Sequence, residues 1–123
     1  VAHRVYITGK IEDVTKQYYL QHCEGFVFPS LREGFGIPPI EAMAFGKPIF
    51  ISNNTSLPEI GGEHSFYWDN HSPEHMAEVL VQGMKKYSQK KDFYTQWYTS
   101  RAKSFDWNET AKQYINVYQS ILS

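Results

Sequence analysis

Two glutamates and a glycine-rich loop form the clearest chemical pattern in the chain. Glu33 and Glu41 stand in the stretch PSLREGFGIPPIEAMAFGKP, with seven residues between them. A carboxylate is a pure hydrogen-bond acceptor with two oxygens, which suits it to hydroxyl groups and to positive charge. Gly34 and Gly36 would let the backbone come close to a ligand, because they carry no Cβ. These residues indicate a ligand-binding loop, although acid pairs at this spacing also arise by chance in a chain with 13 acidic residues.

The neighbouring elements place this loop at the start of a helix. The short apolar run Gly25–Phe28 predicts a buried strand before the loop. Pro38 and Pro39 suit the first turn of a helix over Ile37–Phe45, where their missing N–H groups would lack partners in any case. The free N–H groups and the dipole of a helix N-terminus favour negative charge. The order strand, glycine loop, helix therefore predicts an anion-binding site.

The rest of the chain alternates predicted strands and helices. We predict further strands at Arg4–Thr8, Pro48–Ser52 and Ser65–Trp68, and helices at Asp13–Cys23, Leu57–Ile60, from Ser72, at Lys90–Lys103 and from Asp106, which forms a capping box with Glu109. This alternation predicts an α/β fold: a Rossmann-like open parallel sheet of about four strands with helices on both faces. Ligands of such sheets bind at the carboxyl ends of the strands, where Glu33 and the polar loop Asn53–Ser56 should lie. The aromatic stripe on the last helix is expected to pack, with part of the helix exposed.

Composition limits the possible classes of protein. A chain of 123 residues fits a single domain with a real core. Its net charge of −1 gives no general attraction to nucleic acid. Cys23 is the only cysteine, which excludes an internal disulfide framework and favours a reducing compartment. His71 and His75 are four residues apart, but no second cluster completes a metal site, so we interpret them as part of a helix start.

The string around Glu33 and Glu41 resembles the glutamate–seven residues–glutamate motif of retaining glycosyltransferases of family 4, also called group 1, which have the GT-B fold. The resemblance continues through Lys47–Phe50, Leu57–Gly62 and Phe105–Trp107 and covers most of the chain. It implies that residues 1–123 are a fragment, the C-terminal nucleotide-sugar-binding domain of a larger enzyme. The N-terminal acceptor domain would be absent, and the fragment alone would be inactive.

The resemblance also implies a role for each candidate residue. Glu33 would be the catalytic residue, facing the donor sugar and stabilising positive charge at its anomeric carbon. Glu41 would accept hydrogen bonds from two ribose hydroxyls. The other donor-binding residues would be Gly34, Phe35, Gly36 and Ile37 in the loop, and Gly9 and Lys10 beside the nucleobase. Glu59 would brace the polar loop after the third predicted strand, and no metal or other cofactor is implied.

The reaction implied by the resemblance is transfer of a hexose from a sugar nucleoside diphosphate, with retention of configuration. The acceptor would be a saccharide or a lipid-linked saccharide in surface polysaccharide synthesis. The sequence does not choose between guanosine, uridine and adenosine donors, and general likeness favours mannose from a guanosine donor. The implied location is the cytoplasm, including the inner face of the membrane. Two alternatives stay open on the residues alone. One is a flavodoxin-like or receiver-like binding module, and the other is an interaction domain that uses its aromatic surface.

Overall fold

The computed structural model describes residues 2–123 and has an α/β fold with a parallel sheet. The strands are β1 (Phe26–Phe28), β2 (Ile49–Ser52) and β3 (Phe66–Trp68), in the order β1-β2-β3. The α-helices are α1 (Asp13–His22), α2 (Ile37–Ala44), α3 (Leu57–Gly61), α4 (Pro73–Gln89), α5 (Lys91–Lys103) and α6 (Trp107–Leu122). The α/β class and the parallel sheet are confirmed, but the sheet of the described residues has three strands rather than about four.

The predicted strand at Arg4–Thr8 is wrong. Residues Ala2–Arg4 form a single 3₁₀ turn, and the apolar residues that follow are exposed, Ile7 to 94%. Apolar alternation makes a strand only where a neighbouring strand and a covering layer exist. Among the described residues β1 pairs only with β2, so this segment has no such partner.

Helices cover both faces of the sheet, as predicted. All four residues of the central strand β2 are buried, and successive side chains of a strand point to opposite faces. On one face, a Cβ built at Gly83 of α4 would lie 2.5 Å from Phe50 Cε1. On the other face, a Cβ built at Gly61 of α3 would lie 2.6 Å from Ile51 Cδ1. The helices α2, α3 and α5 contribute to a core on the Ile51 side, and α2 packs directly on α5.

The helix starts follow the predicted caps only in part. Ser72 caps α4 by accepting a hydrogen bond from the His75 N–H at 3.2 Å. Asp106 caps α6 through the Asn108 N–H at 2.6 Å, but Glu109 pairs with Lys112, so the predicted capping box does not form. No residue of α6 is buried, so its aromatic stripe, which we expected to pack, lies at the surface. No helix in the described part of the chain is both long and apolar enough to span a membrane.

Candidate functional site

Glu33 lies in the loop between β1 and α2, at the carboxyl edge of the sheet, as the sequence predicted. Its Oε1 atom accepts a hydrogen bond of 2.6 Å from the hydroxyl of Ser30, which follows the end of β1 by two residues. The side chain of Glu33 is therefore held close to the strand end. No other hydrogen bond to this carboxylate is present within residues 2–123, which leaves Oε2 available to a ligand.

The loop after β2 braces the loop that carries Glu33. The Ser56 hydroxyl lies 3.1 Å from the Glu33 carbonyl and 2.7 Å from the Phe35 carbonyl, and it can donate to either. The Glu33 N–H donates to Thr55 Oγ1 at 3.3 Å, and Thr55 is held at a φ of +50°, which is uncommon for a β-branched residue. Within residues 2–123, no hydrogen bond joins the Glu59 side chain to residues 53–56, so the role predicted for Glu59 in that loop stays a prediction.

Gly36 is the residue that turns the loop into α2. It is the N-cap of the helix, with φ +116° and ψ +50°. A Cβ at this position would lie 3.1 Å from Leu57 Cδ2, and Leu57 is fully buried. Only glycine fits this conformation without strain. By contrast, a Cβ on Gly34 would meet no atom within 4 Å.

The free N–H groups of the site come both from the loop and from the start of the helix. A helix normally presents four unpaired N–H groups at its start, but Pro38 and Pro39 remove two of them. The N–H groups of residues 34–37 donate no hydrogen bond to the described part of the chain. These four amides therefore lack a partner in the described chain, next to the positive end of the α2 dipole, although Gly36 itself is buried.

Glu41 lies in the second turn of α2, about 6 Å along the helix axis from Ile37. Its Oε1 atom accepts a hydrogen bond of 2.8 Å from Lys16 Nζ on α1. The pKa of Lys16 is raised, first by this hydrogen bond, against a smaller effect of desolvation that lowers it. Lys16 was not predicted from the sequence, because it lies 25 residues from Glu41 and no local pattern connects them.

Within the described residues, Gly9 and Lys10 form no hydrogen bond or ion pair with the other candidate residues. Both lie exposed in the irregular segment before α1, and Gly9 has a φ of +64°. Within residues 2–123, no hydrogen bond or ion pair connects either residue to Glu41 or to the loop around Glu33. Their contact with a nucleobase stays a prediction.

A second support for the loop comes from the end of α5. The Phe35 ring lies edge-on to the Phe105 ring, with the ring centroids 6.0 Å apart. The Arg101 guanidinium carbon lies 5.3 Å from the centre of the Phe105 ring. Arg101 also donates to the carbonyls of Glu59 and Ile60 in α3. Phe105 belongs to one of the strings that carry the family resemblance, but its contact with Phe35 could not be predicted from the sequence.

Comparison with known proteins identifies the family. Residues 1–99 match the family model described as "Glycosyl transferases group 1". The chain belongs to this family. The match decides against the flavodoxin-like or receiver-like alternative.

Two curated relatives of this group 1 glycosyl transferase chain come from Escherichia coli. The O-antigen chain mannosyltransferase B is 33% identical over 111 residues, which is 90% of this chain and 29% of the relative. The serotype-specific mannosyltransferase WbdA is 35% identical over 111 residues, which is 90% of this chain and 13% of the relative. The chain thus spans less than a third of the length of either relative.

A solved structure shows the same fold. The catalytic domain of starch synthase IV from Arabidopsis thaliana, bound to ADP and acarbose, aligns with a TM-score of 0.72. The alignment covers 90% of this chain and 25% of that chain at 16% identity, so it supports the fold alone. The α/β sheet of the group 1 chain therefore corresponds to part of a known glycosyltransferase domain.

Proposed function

We propose that the protein containing this chain transfers a hexose from a sugar nucleoside diphosphate to a saccharide or lipid-linked saccharide, with retention of configuration. Mannose is the leading choice of sugar, because two relatives are named as mannosyltransferases, and guanosine is the base that we propose to test first. The O-antigen name of one relative supports a role in surface polysaccharide synthesis. The proposal includes a cytoplasmic location, at the inner face of the membrane for a lipid-linked acceptor, and no metal or other cofactor.

The observation that carries this proposal is the loop of residues 34–37. Its four N–H groups have no acceptor within the described chain, and the carboxylate of Glu33 lies directly before them. Amides of this kind suit phosphate oxygens, and in this loop they would hold the diphosphate that leaves the sugar. When the bond from the sugar to the diphosphate breaks, negative charge develops on the diphosphate and positive charge on the anomeric carbon. The loop amides would stabilise the negative charge on the diphosphate, and Glu33 would stabilise the positive charge on the anomeric carbon.

Glu33 and Glu41 have different roles in this proposal. The positive charge near Glu33 exists only in the transition state, so Glu33 would lower the barrier without strengthening donor binding. Glu41 would accept hydrogen bonds from the ribose hydroxyls throughout the reaction and would act on donor affinity. The hydrogen bond from Ser30 holds Glu33 in place and leaves Oε2 to face the sugar.

The test is a pair of substitutions in the full-length protein. Glu33→Gln should leave the Kd of the donor nearly unchanged and lower kcat, because it removes a charge that acts only in the transition state. Glu41→Gln should weaken donor binding by roughly ten- to a hundredfold, since a hydrogen bond to a charged group contributes about 1.5–3 kcal/mol. The measurements are donor titration by calorimetry and steady-state rates.

Glu109→Gln is the matched control, because Glu109 is an exposed acid of α6 whose one ion pair within residues 2–123 is with Lys112. This variant should change neither the Kd of the donor nor kcat. Normal turnover in Glu33→Gln would show that the role of Glu33 is wrong, and normal donor binding in Glu41→Gln would show the same for Glu41. Product analysis with GDP-mannose and with uridine and adenosine donors tests the substrate, and an inverted linkage would contradict the proposed reaction.

A further inference from the structure

Lys16 of α1 holds the carboxylate that the proposed function assigns to the ribose. Its Nζ atom lies 2.8 Å from Glu41 Oε1 and 3.4 Å from Asp13 Oδ1. The Lys16 and Glu41 side chains are 39% and 35% exposed. The pair therefore lies at the surface, where a bound nucleotide could reach it.

This ion pair is not what attaches α1 to the domain. Leu20 lies four residues after Lys16, on the same face of α1. It is only 7% exposed and belongs to the hydrophobic core together with Ala42 and Met43 of α2. Burial of Leu20 docks the helix, whereas an exposed ion pair contributes little to stability. The contact between Lys16 and Glu41 is therefore not explained by the docking of α1.

We propose that Lys16 is a positioning residue for nucleotide recognition, which fixes Glu41 so that its carboxylate can accept hydrogen bonds from both ribose hydroxyls. This inference rests on the proposed function, in which Glu41 binds the ribose. A carboxylate has about four acceptor sites, and Lys16 occupies one of them. No other hydrogen bond to the Glu41 carboxylate is present within residues 2–123, so acceptor sites remain for two hydroxyls.

The benefit comes from ordering the side chain before the nucleotide binds. A free glutamate loses rotamer freedom on binding, which subtracts from the affinity. Lys16 already fixes one oxygen of Glu41, so less freedom is left to lose. A lysine ammonium is charged at neutral pH, and the hydrogen bond to Glu41 raises the pKa of Lys16 further.

The test compares Lys16→Met with wild type in the full-length protein. Methionine keeps most of the apolar stem and removes the ammonium. Calorimetry with GDP, UDP and ADP and their 2′-deoxy forms measures how strongly the protein prefers ribose. We expect the Kd of the preferred ribonucleotide to rise about three- to tenfold. The 2′-deoxy form should change less, so the preference for ribose falls. The KM of the donor should rise while kcat stays unchanged.

Lys112→Met is the matched control, since Lys112 forms an exposed pair with Glu109 on α6 and has no contact with Glu41. It should bind as wild type. In a Glu41→Gln background, Lys16→Met should have no further effect, because Lys16 acts through Glu41.

Three outcomes would overturn the assignment. If wild type prefers ribose and Lys16→Met keeps the full preference, Lys16 has no role in recognition, but the proposed function stands. If Lys16→Met binds more tightly, Lys16 competes with the ribose instead of positioning Glu41. If wild type shows no preference for ribose with any of the three bases, Glu41 does not bind the ribose, and its role in the proposed function fails together with that of Lys16.

Discussion

Gly36→Ala is the change that most directly tests how the loop is held. An alanine at φ +116° is in a region that costs about 1–3 kcal/mol for a residue with a Cβ. The new Cβ would also lie 3.1 Å from Leu57 Cδ2. Leu57 is fully buried in a close-packed core, so it cannot move away freely.

The net cost follows from these contributions. Alanine lowers the entropy of the unfolded chain, which offsets about 0.4–1 kcal/mol of the strain. A net destabilisation of about 1–2 kcal/mol remains. The loop can relieve it by moving the amides of residues 34–37 out of place, and donor affinity would then fall by about five- to thirtyfold. Calorimetric titration with GDP, UDP and ADP measures the affinity, and the thermal melting profile of the same full-length protein measures the destabilisation.

Gly34→Ala is the matched control. Gly34 is not in the left-handed region, and a Cβ there would meet no atom within 4 Å. This variant should melt like wild type, and any loss of donor affinity in it would come from contact with the ligand itself. If Gly36→Ala melted and bound nucleotide like wild type, or if Gly34→Ala were destabilised equally, the backbone conformation of Gly36 would not be what holds the loop.

Two further predictions concern the brace and the core. Ser56→Ala removes the hydroxyl that contacts the Glu33 and Phe35 carbonyls, so kcat should fall about three- to tenfold. The control is Ser120→Ala, which removes a hydroxyl that bonds within the exposed helix α6 and should leave steady-state rates unchanged. Equal rates in both variants would show that the brace has no part in turnover. Burial raises the pKa of Tyr67 from 10.0 to about 12, and its hydroxyl donates to the Gly62 carbonyl at 2.6 Å. The fold therefore favours the neutral phenol, and this contribution to stability is complete below pH 10 and is lost as the pH rises from 10 to 12. Urea unfolding of wild type and Tyr67→Phe should show the two stabilities converging over that range, and parallel curves would contradict the assignment.

The sequence predicted the elements whose signals are local. The start of α2 was predictable because Pro38 and Pro39 suit a first turn, and β2 because a short, continuous apolar run is typical of a strand buried on both faces. The position of Glu33 at the sheet edge follows from the topology rule for parallel sheets, and the structure agrees with it.

Apart from the capping box of Asp106 and Glu109, what the sequence missed depended on what lies next to an element. Residues 4–8 alternate like a strand but have no neighbouring strand within the described chain, and the stripe of α6 has no covering surface there. The contact of Lys16 with Glu41 depends on how α1 packs on α2, and the brace by Ser56 depends on how two loops meet. Periodicity cannot show such pairings, because they join residues more than twenty positions apart.

The two prolines at the start of α2 shift the weak point of the site away from the helix. Amides of a helix keep their direction as long as the helix is folded, whereas amides of a loop keep it only while their tertiary contacts last. The loop of residues 34–37 depends on Thr55, Ser56 and Leu57, which all follow β2. A brief local opening of the connection between β2 and α3 would therefore displace the amides of residues 34–36 while α2 stays intact. The lifetime of the binding-competent state then depends on this connection as well as on the helix at whose start the ligand would bind.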